Sequence, residues 1–290
     1  VNNSPYSFFT AQSYFFAEKL YSQMPNAYKK TGLLFAYPNN YQEEWIQDIK
    51  TLNRDDLFQI LEKKDMKKLY GFASDGLLVK KGGYLFPKLI CQEMTTHPNI
   101  KIIFNHYFHN WSRKDGKLNI EFLNQKRKSN FDDLIIANGP SLEEILSGLK
   151  ISKGQLVGLK GEQSINLDLP LNSAGYILPK VNNITWIGSS HEKDYEDLNI
   201  CYEVGKDLVN RIDKNFKIKL AGASNMLMEA RLRTGSKDRL PLAGKIEENV
   251  YVIGALGSRG FSLGPILGEY ISSLINNTPS PISAGIALAI

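Results

Sequence analysis

Hydrophobic and polar positions divide the chain into stretches of helical and of strand periodicity. "SPYSFFTAQSYFFAEKLYSQM" sets Phe8, Phe9, Tyr14, Phe15, Phe16 and Leu20 along one broad stripe. That is the pattern of a long aromatic-rich helix with its apolar side in a core. "TGLLFAYP" reads as a strand, and "NNYQEEWIQDIKTL" starts a second helix. "LYGFASDGLLVKKGGYLFPKLICQEM" predicts a strand, a tight Gly82-Gly83 turn, and a helix with Pro87 in its first turn. In "IKIIFNHYFHNWSRKDGKLNIEFLNQ" two β-runs flank Asp115-Gly116, a hairpin signal. "NFDDLIIANGPSLEEIL" predicts a short buried strand, Leu134 to Ala137, running into Asn138-Gly139. Ser141 and Glu144 then have the spacing of a capping box. Residues 151 to 190 are β-rich, "YEDLNICYEVGKDLVNRI" is helical, and strands lead from there into "VYVI" and a glycine loop.

Composition changes this picture little. At 290 residues and 42% hydrophobic content the chain can bury a core, and nothing reaches the length of a membrane-spanning run. No export signal opens the sequence, so a cytoplasmic protein with no membrane contact is expected. Cys91 and Cys201 can pair as a disulfide or remain two buried thiols, and a cytoplasmic setting favours the thiols. His97, His106, His109 and His191 form no metal signature, and no metal is expected. The net charge of +5 suits an acidic partner such as RNA without demanding one. "KKDMKK" (Lys63 to Lys68) and "KRK" (Lys126 to Lys128) read as a solvated helix face and a hairpin turn.

Candidate chemistry concentrates near the C-terminal end. "GALGSRGFSLGPILGEYISSLI" carries glycines at 254, 257 and 260 between a strand and an amphipathic helix. The spacing is G-x-x-G-x-x-G, whereas a dinucleotide fingerprint needs G-x-G-x-x-G with an acid about 20 residues on. The stretch can instead hold another electron-rich group on glycine N–H groups and the helix's positive end, or be a bare turn. Upstream, "EARLRTGSKDRLPLAG" gathers Arg231, Arg233 and Arg239. If "ARLR" is a strand, Arg231 and Arg233 share a face. An arginine there suits a carboxylate clamp, or else a surface ion pair with Asp238 or Glu229.

Together these stretches resemble the amine-oxidising flavoproteins of the D-amino-acid oxidase and glycine oxidase group. Within it they are most similar to the FAD-dependent half of the bacterial bifunctional proteins of tRNA 5-methylaminomethyl-2-thiouridine biosynthesis. The resembling segments are "GLLVKKGGYLFPKLICQEM", "DDLIIANGPSL", "KGQLVGL", "GYILP" with "WIGSSHEKD", "RLRTGSKDRLPLAG" and "YVIGALGSRGFSLGPILGEYISSLI". The resemblance implies an α/β, FAD-dependent amine oxidase fold: a partial Rossmann-like FAD domain plus an antiparallel-sheet substrate domain. Residues 1–74 would be shared by the two domains and 75–150 would belong to the FAD domain. Residues 151–230 would form the substrate domain, and 231–290 would return to the FAD domain.

The resemblance also implies the site. Leu256, Gly257, Ser258, Arg259, Gly260, Phe261, Ser262 and Leu263 would bring backbone amides to the pyrimidine end of the flavin ring. Gly82, Gly83 and Tyr84 would lie near the ring, and Asn138 and Gly139 would end a strand of the nucleotide-binding domain. Tyr176 and Arg233 match positions that contact substrate and its carboxylate, and Arg259 lies near the ring. The implied substrate is a tRNA whose wobble uridine carries a carboxymethylaminomethyl group. A hydride leaves its CH2 for the flavin, the imine hydrolyses, and an aminomethyl uridine and glyoxylate result. A fused or separate methyltransferase domain would be a partner.

The family's G-x-G-x-x-G unit and its adenosine-ribose acid have no match in the sequence, which the resemblance reads as a truncated form of a longer protein. The final "SPISAGIALAI" looks cut for the same reason. Two other functions stay open: a glycine or sarcosine-type small-molecule amine oxidase, and a cofactor-free binding protein on this fold.

Overall fold

The computed structural model describes residues 5–36, 42–72, 74–161, 167–173, 175–216 and 226–282. Residues 283–290 of the final apolar run lie outside them. In chain order the elements begin α1 (Pro5–Tyr21), β1 (Tyr28–Lys29), β2 (Leu33–Ala36), α2 (Gln42–Leu52), β3 (Phe58–Leu61), α3 (Lys63–Tyr70) and β4 (Gly76–Val79). They continue β5 (Tyr84–Leu85), α4 (Pro87–Thr95), β6 (Phe108–Lys114), β7 (Lys117–Phe122), β8 (Gln125–Phe131), β9 (Leu134–Ile136) and a 3-10 helix (Gly139–Glu144). The remainder is β10 (Lys150–Lys160), β11 (Leu171–Asn172), β12 (Tyr176–Ile177), β13 (Ile184–Gly188), α5 (Tyr202–Phe216), β14 (Met226–Gly235), β15 (Leu242–Glu247), β16 (Val250–Gly254) and α6 (Gly260–Asn276). No helix among the described residues is long and apolar enough to cross a membrane.

Two compact units emerge. The first comprises Pro25–Phe86 and Ser152–Leu232. Its main sheet has the order β14-β10-β13-β12-β11-β2-β4-β3, antiparallel at β10–β13, β13–β12, β12–β11, β2–β4 and β4–β3 and parallel at β11–β2. Leu34 and Ile177 alternate with less buried neighbours, as half-covered strands require, whereas Val157, Leu159 and Ile187 have buried glycines beside them; Leu171 joins the same core. Leu208 and Ile212, one turn apart on α5, complete the core with Val209. A polar cluster is buried with it: Lys153 Nζ donates to the Asn199 carbonyl at 2.6 Å, and Ser190 and Gln155 both donate to Glu192 Oε1. These bonds satisfy groups that burial would otherwise destabilise.

The second unit contains α1, Pro87–Ile151 and the chain from Arg233 onward. Its middle layer is the sheet β15-β16-β9, with β15–β16 an antiparallel hairpin and β16–β9 a parallel pair. Period-2 alternation on β16 decides what covers each face. Tyr251 and Ile253 meet Phe9 of α1 and Leu263, Ile266, Leu267 and Ile271 of α6. Val250 and Val252 meet Leu118 and Ile120 of the β6-β7-β8 meander. The Asp115-Gly116 hairpin is present as expected, with φ of +52° and +75° at its two residues.

Several expectations need correction. The buried line on α1 is Phe9, Ser13, Ala17 and Tyr21, a narrow i, i+4 seam, and Phe8 and Phe15 face outward. Ser13 is tolerated there because its hydroxyl bonds the Phe9 carbonyl at 2.7 Å. The turn after β4 is Lys80-Lys81, closed by Gly82 N–H on the Val79 carbonyl; the two glycines follow it. Residues 101–107 are not strand, and pairing begins at Phe108. Residues 126–128 lie within β8, not in a hairpin turn, and their side chains are outside the described set. No capping box forms at Ser141, because the 3-10 helix has already started at Gly139 with Pro140 in its first turn. Glu143 instead holds the N–H groups of Gly148 and Leu149. Strand β9 is only part-buried, with Ile135 exposed. Both cysteines are unpaired thiols, but they are exposed instead of buried.

Candidate functional site

In the second unit, the parallel pairing of Val252 with Ile136 puts the C-terminal ends of β16 and β9 side by side. Ligands of open α/β sheets gather at such ends. From them leave the two segments singled out by sequence: Asn138-Gly139 after β9, and residues 255–260 after β16. The structure therefore brings these two predicted cofactor segments together.

The glycine loop is fixed by β14. Gly257 N–H donates to the Thr234 carbonyl at 2.8 Å, and Gly235 bridges Leu256. Positive φ at Ala255 (53°) and Gly257 (57°) turns the chain out of β16 and into α6. Arg259 N–H bonds the Leu256 carbonyl, and the Arg259 carbonyl accepts from Ser262 and Leu263. The first N–H groups of a helix have no intrahelical acceptor, so those of Gly260 and Phe261 point out of α6 at its positive end. A side chain on Gly257 or Gly260 would meet no atom within 4 Å, so space opens beside the loop.

Helix α1 holds this loop from the other side. The Tyr21 hydroxyl donates to the Phe261 carbonyl at 2.9 Å, and burial, with the Cys91 thiol as a lesser cause, pushes its pKa up to about 12. Arg259 donates to the Tyr6 hydroxyl and to the Arg239 carbonyl, and its guanidinium lies 5.4 Å from the Tyr6 ring centre. Its side chain is thus engaged within the protein. Leu263 is fully buried in the α1–α6 core, so only its backbone could face a ligand. Sequence reasoning passed over Tyr6, Tyr21 and Thr234. The two tyrosines carried a signal, a polar tip on an otherwise apolar helix stripe; Thr234 carried none.

Whether these residues fit a flavin can be tested on buried polar atoms. Asn138 Oδ1 and Thr234 Oγ1 are both buried with no hydrogen-bond partner among the described residues. A native site leaves such groups unsatisfied mainly where something else bonds them. One lies at the end of β9, and the other belongs to the residue that clamps Gly257. With the outward amides of α6, these atoms match the acceptor and donor edges of a flavin's pyrimidine end, so the residues fit.

Arg233 directly precedes Thr234 on β14 and is half-buried. Arg231, two residues earlier, is exposed and pairs with Glu229 at 3.7 Å, the surface ion pair anticipated as an alternative. In the first unit, Tyr176 sits on β12 opposite Gly188 of β13, where a Cβ would fall 2.1 Å from the tyrosine Cζ. Gly82 and Gly83 have a packing role: added Cβ atoms would lie 2.5 Å from Leu33 Cβ and 2.2 Å from the Lys29 carbonyl oxygen. Tyr84 follows on β5, paired with Lys29, and burial pushes its phenol pKa up. Strands β11 and β2 stand between β12 and β4, so the sheet does not make Tyr176 a neighbour of the segment that follows β4.

A family model described as FAD dependent oxidoreductase matches residues 9–274. A tRNA 5-methylaminomethyl-2-thiouridine biosynthesis bifunctional protein of Campylobacter jejuni is 28% identical over 242 residues, covering 73% of this chain and 39% of its own length. The chain thus spans about two fifths of that relative. Among solved structures, glycine oxidase of Geobacillus kaustophilus matches with a TM-score of 0.81 at 15% identity, covering 100% of this chain and 84% of its own. Iminodiacetate oxidase of Chelativorans matches with 0.79 at 14% identity, covering 98% and 84%. Likeness at such identity is likeness of fold.

Proposed function

Because the chain belongs to the family of FAD-dependent oxidoreductases, we propose that it oxidises an amine carrying an N–CH2–COO⁻ arm, of the glycine and sarcosine type. The observation that carries this reading is the position of Arg233: its neighbour Thr234 anchors the glycine loop through Gly257. A guanidinium one residue from that anchor can grip a carboxylate with two parallel hydrogen bonds and hold the adjacent CH2 beside the loop. FAD, when bound, supplies the hydride acceptor, and the imine product is hydrolysed by water. The chain's own part is to position and to stabilise charge. Asn138, Thr234 and the opening amides of α6 would hold the ring end, and the helix's positive end favours negative charge there. Arg233 would bind the carboxylate. Glycine and iminodiacetate, named for the oxidases of like fold, both contain this arm.

Replacing Arg233 tests the reading. Arg233→Ala is expected to weaken the transition-state complex by about 2 to 5 kcal/mol, roughly 30- to several-thousand-fold in kcat/KM. The absorption of bound flavin should stay unchanged. Arg233→Lys should recover only part, because an ammonium lacks the planar fork. Wild-type kcat/KM in Arg233→Ala would remove it from the site.

A second reading has a specific observation behind it, the 28% identity to the tRNA-modifying bifunctional protein. In it the same arm is carried by the carboxymethylaminomethyl group of a tRNA wobble uridine. Oxidation of such tRNA, with glycine and sarcosine inert, would select it.

A further inference from the structure

Basic residues are unevenly distributed. Between Lys50 and Lys81 stand eight lysines and arginines against five acids, a surplus of three where the whole chain has five. All of this segment lies in the first unit and surrounds β3, the edge strand of its sheet. Beside β3, next to the end of α2, opens a cavity of about 390 Å³ whose lining includes Lys50, Arg54, Lys80, Asp55, Ile49 and Phe58. Arg54 is oriented by a two-point pair with Asp56, at 2.7 and 2.8 Å. Lys80 Nζ leans on the Asp55 carbonyl at 2.8 Å. Phe58, half-buried, lines the same cavity as these cations.

At the other end of the strand, α3 begins two residues after Leu61. It buries only Met66 and turns Lys63, Lys64, Lys67 and Lys68 to solvent. Glu62 pairs with Lys64 at 3.2 Å and Asp65 on the helix also acts on Lys64, so four lysines meet two acids, a surplus of two. A four-residue strand spans roughly 10 to 14 Å, so two cationic footholds lie along one edge instead of converging on a point. Separated cations with an aromatic side chain at one foothold suit a strand of linked phosphates. Met66 is buried in the core, and Leu69 is the one large apolar side chain that α3 exposes beside its four lysines, too little apolar surface to anchor the helix in a lipid surface.

We propose that this edge, α3 together with the β3 cavity, binds the phosphate backbone of RNA. Naming the RNA as tRNA rests on the second reading above. The test is binding of a fluorescently labelled, unmodified tRNA transcript to the FAD-loaded protein across a range of salt concentrations. One variant changes Lys63, Lys64, Lys67 and Lys68 to Gln; another changes Lys50 and Lys80 to Gln. Both must retain the flavin spectrum. The first is expected to bind at least about tenfold more weakly, with a salt slope lowered by roughly 0.7 to 0.9 for each phosphate no longer neutralised. The second should show a smaller weakening of the same kind. Wild-type binding that survives in both variants overturns the surface and leaves the tRNA reading standing. A wild-type protein that binds no tRNA at low salt overturns both. Binding to phosphatidylserine vesicles with none to tRNA replaces the proposal with a lipid surface.

Discussion

Gly188 decides where Tyr176 can be. The ring lies over it so closely that any Cβ would overlap Cζ, and the two residues are register partners on β12 and β13. Gly188→Ala is expected to cost about 1 to 3 kcal/mol in chemical denaturation and to displace the ring. If Tyr176 touches substrate, KM should rise in that variant even where the protein is folded. An unchanged KM with the expected drop in stability would make Tyr176 a packing residue. Single residues were legible in the sequence where chemistry has a local signature, and illegible where it depends on a distant partner. The spacing of Arg231 and Arg233 on a strand was readable, and Glu229 was one of two acids open as an ion-pair partner; which arginine it would take was not readable. Nor could glycine spacing reveal that Gly82 and Gly83 make room for Leu33 and Lys29, some fifty residues away in sequence.

Among elements, the pairing of α1 with α6 matters most for the site. Tyr21 and Tyr6 reach from α1 to the first turn of α6 and to its N-cap residue Arg259. Tyr21→Phe should lose about 1 kcal/mol with the hydrogen bond to Phe261. Its pH dependence has a definite sign. The folded protein holds the Tyr21 proton up to about 12, against 10 for an ordinary tyrosine. The native state therefore binds more protons than the unfolded one between those values. The contribution is complete below pH 10 and is lost as pH rises toward 12. An ultraviolet titration of wild type minus Tyr21→Phe should show one phenol with a midpoint near 12. A midpoint near 10 would mean that Tyr21 is not held as described. Periodicity predicted α1 but not its true face, because aromatic content marks a stripe broader than the four-residue seam that α6 covers. The failure at Ser141 is similar: a capping motif is local, and Gly139-Pro140 had already begun the turn.

For the whole molecule, a largely antiparallel sheet accompanied by helices was legible from hairpins and β-rich stretches alternating with helices. The site was legible in part. Residues 138–139 and 255–260 converge because β9 and β16 pair in parallel, a long-range fact that strand patterns alone do not encode. What the sequence supplied was the chemistry waiting there: glycines without side chains, an arginine beside the anchor, and a helix beginning at the right point. Oxidation of an N–CH2–COO⁻ amine by a protein that holds FAD has one decisive readout. It is the visible absorption spectrum of the purified protein with FAD, recorded without oxygen while amines are added. Flavin bands should bleach with glycine or sarcosine or, in the second reading, with tRNA carrying the carboxymethylaminomethyl group. Bands that persist with every one of these, on a protein that retains the flavin, would contradict amine oxidation at this site.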